Sequence, residues 1–156
     1  MQAPCAFALT ALCSTAILGD MSPLSDKVAA VTQASQPPNQ ALTHLWELVK
    51  QKGPPPWSQR IIYNKDMQAT LICQAPGATN RPHYHSDNDE FWLVLRGELV
   101  WEIEGMPPVH AVPGDVVLVP TGKAHLIRTV GTEPSLRFAI VVPDVPHLDP
   151  VTGKPW

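Results

Sequence analysis

The chain has 156 residues, which is enough for one domain of ordinary size. Its 18 prolines, about 12% of the residues against an average near 5%, exclude a helical bundle and favour short strands joined by fixed turns. A net charge of −3 without a basic stripe excludes nucleic acid as an expected partner, and no apolar run is long enough for a membrane span. The three cysteines lack C-x-x-C spacing and support neither a zinc knuckle nor a disulfide framework.

The first 40 residues read differently from the rest of the chain. Residues 6–18 form an apolar run of signal-peptide length, but no Lys or Arg precedes Lys27. We therefore treat residues 1–40 as an N-terminal segment that is either an export signal or a flexible or helical extension. A cytoplasmic location is expected, with export as the alternative. Residues 41–156 are predicted to form a single domain.

The segment 41–52 has the spacing of an amphipathic helix. Leu42, Leu45, Trp46 and Val49 stand at i, i+3, i+4 and i+7, and Gly53 follows the last periodic residue. An N-terminal helix with this apolar face is therefore predicted.

From Trp57 onward the chain consists of short apolar segments separated by Gly, Pro, Asn and Asp. Each segment has four to seven residues and is rich in β-branched and aromatic side chains, which is typical of strands in a sandwich or barrel. The predicted strands are RIIY, ATLIC, EFWLVL, ELVWEI, VVLVP, HLIRTV and LRFAIVV. The Pro-rich end after residue 142 is expected to be an extended tail that lies on the barrel or reaches a partner subunit. His110 and His147, both outside the apolar segments, are expected at the surface.

Two stretches of this region place histidines in a regular pattern. His83 and His85 are two residues apart, so on an extended chain both rings point to the same side. Glu90 begins a strand after a polar turn, and His125 opens a later strand after a Pro-Thr-Gly turn. Three imidazoles and one carboxylate that converge inside a barrel form a site for a divalent transition metal.

The same residues form a two-part motif that resembles the motifs of the cupin superfamily. The first part, G-x(5)-H-x-H-x(4)-E-x(6)-G, is matched at every fixed position, and the second, G-x(5)-P-x-G-x(2)-H-x(3)-N, at all but the last, where Thr129 replaces Asn. The resemblance implies an all-β fold, a double-stranded β-helix (jelly-roll barrel), with the N-terminal helix in front of it. The matching residues are Gly77, His83, His85, Glu90 and Gly97, then Gly114, Pro120, Gly122 and His125.

The resemblance also implies that His83, His85, Glu90 and His125 bind one divalent transition metal. Iron is favoured, and Mn, Ni, Zn or Cu are alternatives, because nitrogen and oxygen ligands do not select one ion. Asp89 fits a shorter variant of the motif, but Glu90 leads directly into a strand and is preferred.

Side-chain alternation predicts which residues share the inner face with these ligands. The residues at even spacing from Glu90 and His125 are mostly apolar and are expected to line a substrate pocket. They are Trp92, Val94, Ile127 and Thr129.

Two polar residues are further candidates for the pocket. Arg81 has the same parity as His83 and either binds a substrate carboxylate through a bidentate pair or stays solvated in its loop. Tyr63, on a neighbouring strand, is a candidate as well.

Three functions are compatible with such a site, because a fold does not define an activity. The preferred hypothesis is a mononuclear non-haem metal dioxygenase that oxidises a small organic substrate chelated to the metal. A lyase, isomerase or decarboxylase would use the metal only as a Lewis acid, and a non-catalytic cupin would only bind a small ligand. The resemblance also implies a homodimer.

Overall fold

A computed structural model describes residues 37–156 of the chain; the apolar run and most of the predicted N-terminal segment lie outside the described residues. The fold is all-β, as the sequence predicts, with one short helix. The helix α1 spans Leu45–Lys52, and the strands are β1 (Trp57–Tyr63), β2 (Gln68–Gln74), β3 (Glu90–Arg96), β4 (Glu98–Ile103), β5 (Val109–Ala111), β6 (Val116–Val119), β7 (His125–Val130) and β8 (Ser135–Val141).

Two antiparallel sheets form the double-stranded β-helix. One has five strands in the order β1-β2-β8-β3-β6, and the other has three in the order β5-β4-β7. Their inner faces share one hydrophobic core, to which Trp92 and Val94 contribute from the first sheet and Trp101 and Ile127 from the second. Seven of the eight strands coincide with predicted segments. The three-residue strand β5 was not predicted, because its sequence VHA follows two prolines and is too short for a periodic signal.

The helix differs from the prediction at its start and on its buried face. It begins at Leu45, so Leu42 precedes it and is 68% exposed, and Trp46 is 59% exposed. The residues that pack are Leu48, which is buried, with Leu45 and Val49 beside it. They cover the side of β2 that carries Leu71 and Cys73. The face of the helix that becomes buried is therefore the one that contacts the sheet, which is not the apolar stripe predicted from the sequence. Within residues 37–156, no helix is both long and apolar enough to span a bilayer.

The Pro-rich C-terminal tail lies on the barrel, which is one of the two arrangements expected from the sequence. Tyr84 and Leu148 exchange two backbone hydrogen bonds of 3.0 Å each, which add the tail to the segment that carries His83 and His85. Beyond Leu148 the chain turns back at Asp149, whose Oδ1 accepts the amides of Val151 and Thr152 at 2.9 Å. The tail is therefore attached to the segment on which two of the candidate ligands lie.

Candidate metal centre

Four side chains from three parts of the chain meet at one end of the barrel. His83 and His85 lie on an extended segment that pairs with β7 through backbone hydrogen bonds between His83 and His125 of 2.8 and 3.1 Å. Glu90 is the first residue of β3, and His125 is the first residue of β7. Each of the four is 2–4% exposed, so the site is almost completely removed from solvent.

In each imidazole, the Nδ1 atom is within hydrogen-bond distance of a backbone carbonyl oxygen. The Nδ1 atoms of His83, His85 and His125 lie 2.9, 3.0 and 3.2 Å from the carbonyl oxygens of Arg81, Pro146 and Lys123. Because a carbonyl oxygen only accepts, each Nδ1 carries the proton and each Nε2 presents a lone pair. All three Nε2 atoms and Glu90 Oε2 are buried without a hydrogen-bond partner. Buried polar atoms are normally paired, so this group of acceptors fits a cation.

The spacing of the acceptor atoms also fits a single metal ion. One ligand atom from each of the four residues lies within 4.8 Å of all the others. Glu90 Oε2 is 3.5 Å from His85 Nε2 and 3.3 Å from His125 Nε2. Two ligands of one ion at about 2.1 Å each lie about 3.0 Å apart at right angles and about 3.4 Å apart at tetrahedral angles.

The electrostatics of the cluster favour a bound cation. Burial lowers the pKa of His83 to about 4, so its ring is neutral at neutral pH. Burial also opposes ionisation of Glu90, but the imidazoles of His125 and His85 outweigh it and hold the pKa of this carboxyl at about 2. Burial acts to lower the pKa of His85, yet the Glu90 carboxylate raises it overall. An ionised carboxylate thus faces the three imidazoles, and its charge would attract a cation placed between them.

The structure separates Glu90 from the competing carboxylates. Asp89 is exposed and accepts the amide and the hydroxyl of Thr121, both at 2.8 Å, and these two bonds lower its pKa. Asp87 is exposed and accepts the Ser86 hydroxyl. Neither carboxylate belongs to the cluster.

A cavity of about 470 Å³ opens beside the cluster. His83 and Glu90 line this cavity, and so does Trp92, which has the inward parity of Glu90 on β3. Side chains of β2 and β8 form most of the remaining wall, and Arg60 and Asp144 also line the cavity. Two of the four candidate ligands therefore border a space that could hold a small molecule.

The other predicted apolar pocket residues lie elsewhere. Val94 and Ile127 belong to the core between the sheets, and neither lines the cavity. Thr129 is fully buried and shares a 2.7 Å hydrogen bond with Ser135. The inward face of each strand is longer than the site, so Val94, Ile127 and Thr129 are buried away from the cavity, whereas Trp92 borders both the cavity and the core.

The two polar candidates contact the chain and not the cavity interior. Arg81 forms an ion pair of 3.0 Å with Asp149, and its guanidinium lies 4.7 Å from the Trp156 ring centre. Tyr63 donates its hydroxyl to Asp144 Oδ2 at 2.6 Å, which raises the pKa of the phenol. Arg81 therefore fastens the tail, and Tyr63 contacts a residue of the cavity wall.

His147 and Trp156 are residues of the site that the sequence did not reveal. The His147 ring is 4.5 Å from the His83 ring and 5.0 Å from the His85 ring, distances like those among the ligand rings themselves. His147 is exposed, as predicted, but both it and Trp156 line the cavity. No motif includes them, because they reach the site through the long-range pairing of the tail with Tyr84.

Arg137 and Asn80 were missed for a similar reason. Arg137 is 1% exposed and lines the cavity from β8. Asn80 bonds the backbone amide of Ile127 and lies 3.3 Å from His83 Nδ1. The inward parity of β8 was the only signal for Arg137, and the sequence does not reveal which of its faces is inward.

The fold and the site together define a class of protein. The family model described as a cupin domain, Cupin_2, matches residues 70–143. The resemblance to cupins that the sequence indicates is therefore confirmed over this range, and the His and Glu cluster within it could bind a metal.

Known proteins resemble parts of this chain. Dimethylsulfoniopropionate lyase DddQ from Ruegeria pomeroyi is 31% identical over 67 residues, which are 43% of this chain and 33% of the lyase. The chain thus spans about a third of the curated relative that it matches. The crystal structure of DddQ superposes with a TM-score of 0.50 and 26% identity, covering 56% of this chain and 47% of that one.

Two further solved structures share the fold alone. A Bacillus halodurans protein has a TM-score of 0.60 and 18% identity, covering 72% of this chain and 89% of its own. A Klebsiella pneumoniae protein with a double-stranded β-helix domain has a TM-score of 0.57 and 21% identity, covering 67% and 91%.

Proposed function

We propose that this chain is a mononuclear metal-dependent lyase that removes a leaving group from a small carboxylate substrate. The observation that carries the proposal is the buried cluster of His83, His85, Glu90 and His125, of which His83 and Glu90 line a cavity of about 470 Å³. The similarity to a lyase over 67 residues favours elimination over the dioxygenase chemistry preferred from the sequence.

The proposed chemistry divides the work between the metal and the cavity wall. A divalent ion held by the cluster would act as a Lewis acid on a substrate oxygen. Asp144 Oδ2, which accepts the Tyr63 hydroxyl at 2.6 Å, is proposed to accept the proton next to the substrate carboxylate. The electron pair of that C–H bond then forms a C=C bond, and the leaving group departs with the pair of its own bond. With dimethylsulfoniopropionate the products would be acrylate, dimethyl sulfide and a proton.

The remaining wall residues are proposed to exclude water and orient the substrate. Ile72, Trp92, Ala139 and Val141 contribute apolar side chains to the cavity wall. The tail residues His147 and Trp156 lie over the cluster end. A partly enclosed and partly apolar cavity strengthens the electrostatic interactions inside it.

The first experiment is elemental analysis of protein purified without added metal or affinity tag. His83→Ala and Glu90→Ala are each expected to lose about one equivalent of metal, because each removes a ligand. His110→Ala, which removes an exposed histidine of β5, is the matched control and is expected to retain the metal. Wild-type protein without metal, and a normal fold in all variants, would contradict the ligand assignment.

The second experiment tests elimination. Protein loaded with each candidate ion is incubated with dimethylsulfoniopropionate and other 3-substituted propanoates, and unsaturated acid and leaving group are measured. Asp144→Asn is expected to keep its metal and lose most of the turnover. Metal retained without any elimination would overturn the lyase proposal.

The dioxygenase remains the second candidate, because the apolar lining of Ile72, Trp92 and Ala139 would also protect an activated oxygen species. About one equivalent of iron together with substrate-dependent oxygen consumption would favour it over the lyase. Tight metal retention without turnover of either kind would favour a non-catalytic binding cupin.

A further inference from the structure

Arg137 places a buried positive charge in the wall of the cavity. The residue is 1% exposed, and it forms no ion pair with any carboxylate of the described residues. Its Nη2 donates to Gln74 Oε1 at 2.7 Å and its Nη1 to Ser135 Oγ at 3.4 Å, while Nε is buried without a partner. A guanidinium withdrawn from water is strongly unfavourable unless an anion compensates it.

Two more unpaired polar atoms belong to the same wall. Trp92 Nε1 and Thr70 Oγ1 are buried without a hydrogen-bond partner, and both residues line the cavity. They lie on β3 and β2, the two strands that flank β8 in the sheet, and the guanidinium of Arg137 lies 5.3 Å from the Trp92 ring centre. Since buried donors are normally satisfied, a wall with three unpaired groups fits a ligand rich in acceptor oxygens.

The charges around the cavity favour an anion over a neutral acceptor. Burial lowers the pKa of Arg137 to about 10, which leaves it charged at neutral pH. Glu90 would neutralise only one charge of a divalent ion, so the cluster and Arg137 together are positive, while Arg60 and Asp144 have opposite signs. The two residues that accept hydrogen bonds from Arg137, Gln74 and Ser135, are both neutral, so they satisfy donors without cancelling the charge.

We propose that Arg137 binds the carboxylate of the substrate, with Trp92 Nε1 and Thr70 Oγ1 as additional donors. The proposal rests on the proposed function in one respect, that the same molecule reaches the metal cluster. It names the substrate class as small monocarboxylates. It also replaces the sequence-based hypothesis that Arg81 binds the substrate carboxylate, because Arg81 is paired with Asp149 of the tail. The proposed carboxylate site lies instead in the wall formed by β2, β8 and β3.

Binding to the protein as purified tests this assignment separately from catalysis, with two molecules that carry no leaving group. Propanoate and propanamide have nearly the same shape but differ in charge. We expect propanoate to shift the NMR signals of Arg137 Nε–H and Trp92 Nε1–H, with a Kd at least about tenfold below that of propanamide. Equal affinity for the two molecules, or shifts confined to other residues, would overturn the proposal.

A charge-cancelling variant provides the sharper test. Gln74→Glu would place a carboxylate against Arg137 Nη2 without a change of shape, so propanoate binding should weaken at least about tenfold. Gln68→Glu is the matched control, because it makes the same change on the same strand and in the same cavity wall. Gln68 lies six residues from Gln74, which is about 20 Å along an extended strand. It should change the affinity by no more than about twofold. Equal weakening in both variants would assign the effect to overall charge and overturn the role of Arg137.

Two further measurements keep the outcomes separate. Arg137→Gln is expected to lose propanoate binding as well, and if it does not fold, Gln74→Glu decides. Elemental analysis of the same samples reports on the cluster independently. A wild-type protein without metal but with selective propanoate binding would contradict the proposed function and leave the carboxylate site standing.

Discussion

Single residues in this barrel differ sharply in how much room surrounds them. Gly97 and Gly77 have φ values of 75° and 77°, in the left-handed region that favours glycine. A Cβ at Gly97 would lie 2.9 Å from the Pro134 carbonyl oxygen and from Ser135 Cα, whereas a Cβ at Gly77 would meet nothing within 4 Å. In the first motif, Gly77 is therefore required only for its backbone conformation, whereas Gly97 is required both for its conformation and because no room is left for a side chain.

Alanine at the two glycines should separate these requirements. Gly77→Ala is expected to lower the free energy of unfolding by about 1 kcal/mol, the cost of the backbone conformation. Gly97→Ala adds a clash with backbone atoms and should cost about 3 kcal/mol. Urea denaturation measures both; equal losses would contradict the close approach of Pro134.

Thr129, which replaces the last Asn of the second cupin motif, has a structural role. Its hydroxyl and that of Ser135 form a buried hydrogen bond of 2.7 Å, and Ser135 Oγ also accepts from Arg137 Nη1. Thr129 thus links β7 to the strand that carries Arg137, without contacting the cluster.

Thr129→Val should destabilise the fold by about 1–2 kcal/mol, because it leaves the buried Ser135 hydroxyl with one partner fewer. A double-mutant cycle with Ser135→Ala should recover part of this loss. Metal content should stay unchanged; loss of metal in Thr129→Val would mean that this pair positions the ligands.

At the scale of elements, the C-terminal tail is held by hydrogen bonds, ring contacts and an ion pair. Besides the backbone pairing of Tyr84 with Leu148, the ion pair between Arg81 and Asp149 fastens it at 3.0 Å. The Arg81 side chain is 53% exposed, and exposed pairs contribute about 0–1 kcal/mol to global stability. Its effect should therefore be local.

Arg81→Ala should accelerate amide hydrogen exchange at Leu148 several-fold while the amides of β3 and β4 exchange as before. Arg128→Ala is the matched control, because it removes a similarly exposed pair with Glu102 on the three-stranded sheet. Faster exchange throughout the barrel in Arg81→Ala would contradict a purely local role.

At the scale of the whole molecule, the cluster couples metal binding to stability. Metal-free protein buries three unpaired Nε2 atoms and one carboxylate oxygen. A ligand at a hundred times its Kd stabilises a fold by about 2.7 kcal/mol, which corresponds to roughly 10 °C in Tm for a domain of this size. Calorimetry of chelator-treated and metal-loaded protein should show this rise, and His125→Ala should not.

Homodimer formation stays a prediction, and the five-stranded sheet offers a face for it. On its outer side Phe91, Val116 and Leu118 are 42%, 64% and 54% exposed. Contiguous apolar surface of this kind is typical of interaction sites. We expect a dimer by sedimentation and a monomer for Leu118→Glu, with metal content retained; a monomeric wild type would contradict the prediction.

Local rules were enough to predict seven of the eight described strands and to select the four candidate ligands. Alternation along an extended chain depends only on backbone geometry, so the common side of His83 and His85 and the inward parity of Glu90 and Trp92 follow from spacing. Turn residues between apolar runs mark the strand ends for a similar reason. The helix was predicted correctly as an element, but the sheet against which it packs selects its buried face.

Only the tertiary structure brought Arg137, His147 and Trp156 to the cavity. Arg137 reaches it because β8 pairs between β2 and β3, and the two tail residues because Leu148 pairs with Tyr84. Each pairing joins segments tens of residues apart, and its register depends on which faces the whole barrel can bury. Spacing along the chain therefore determined where a metal could bind, and long-range pairing decided what surrounds it.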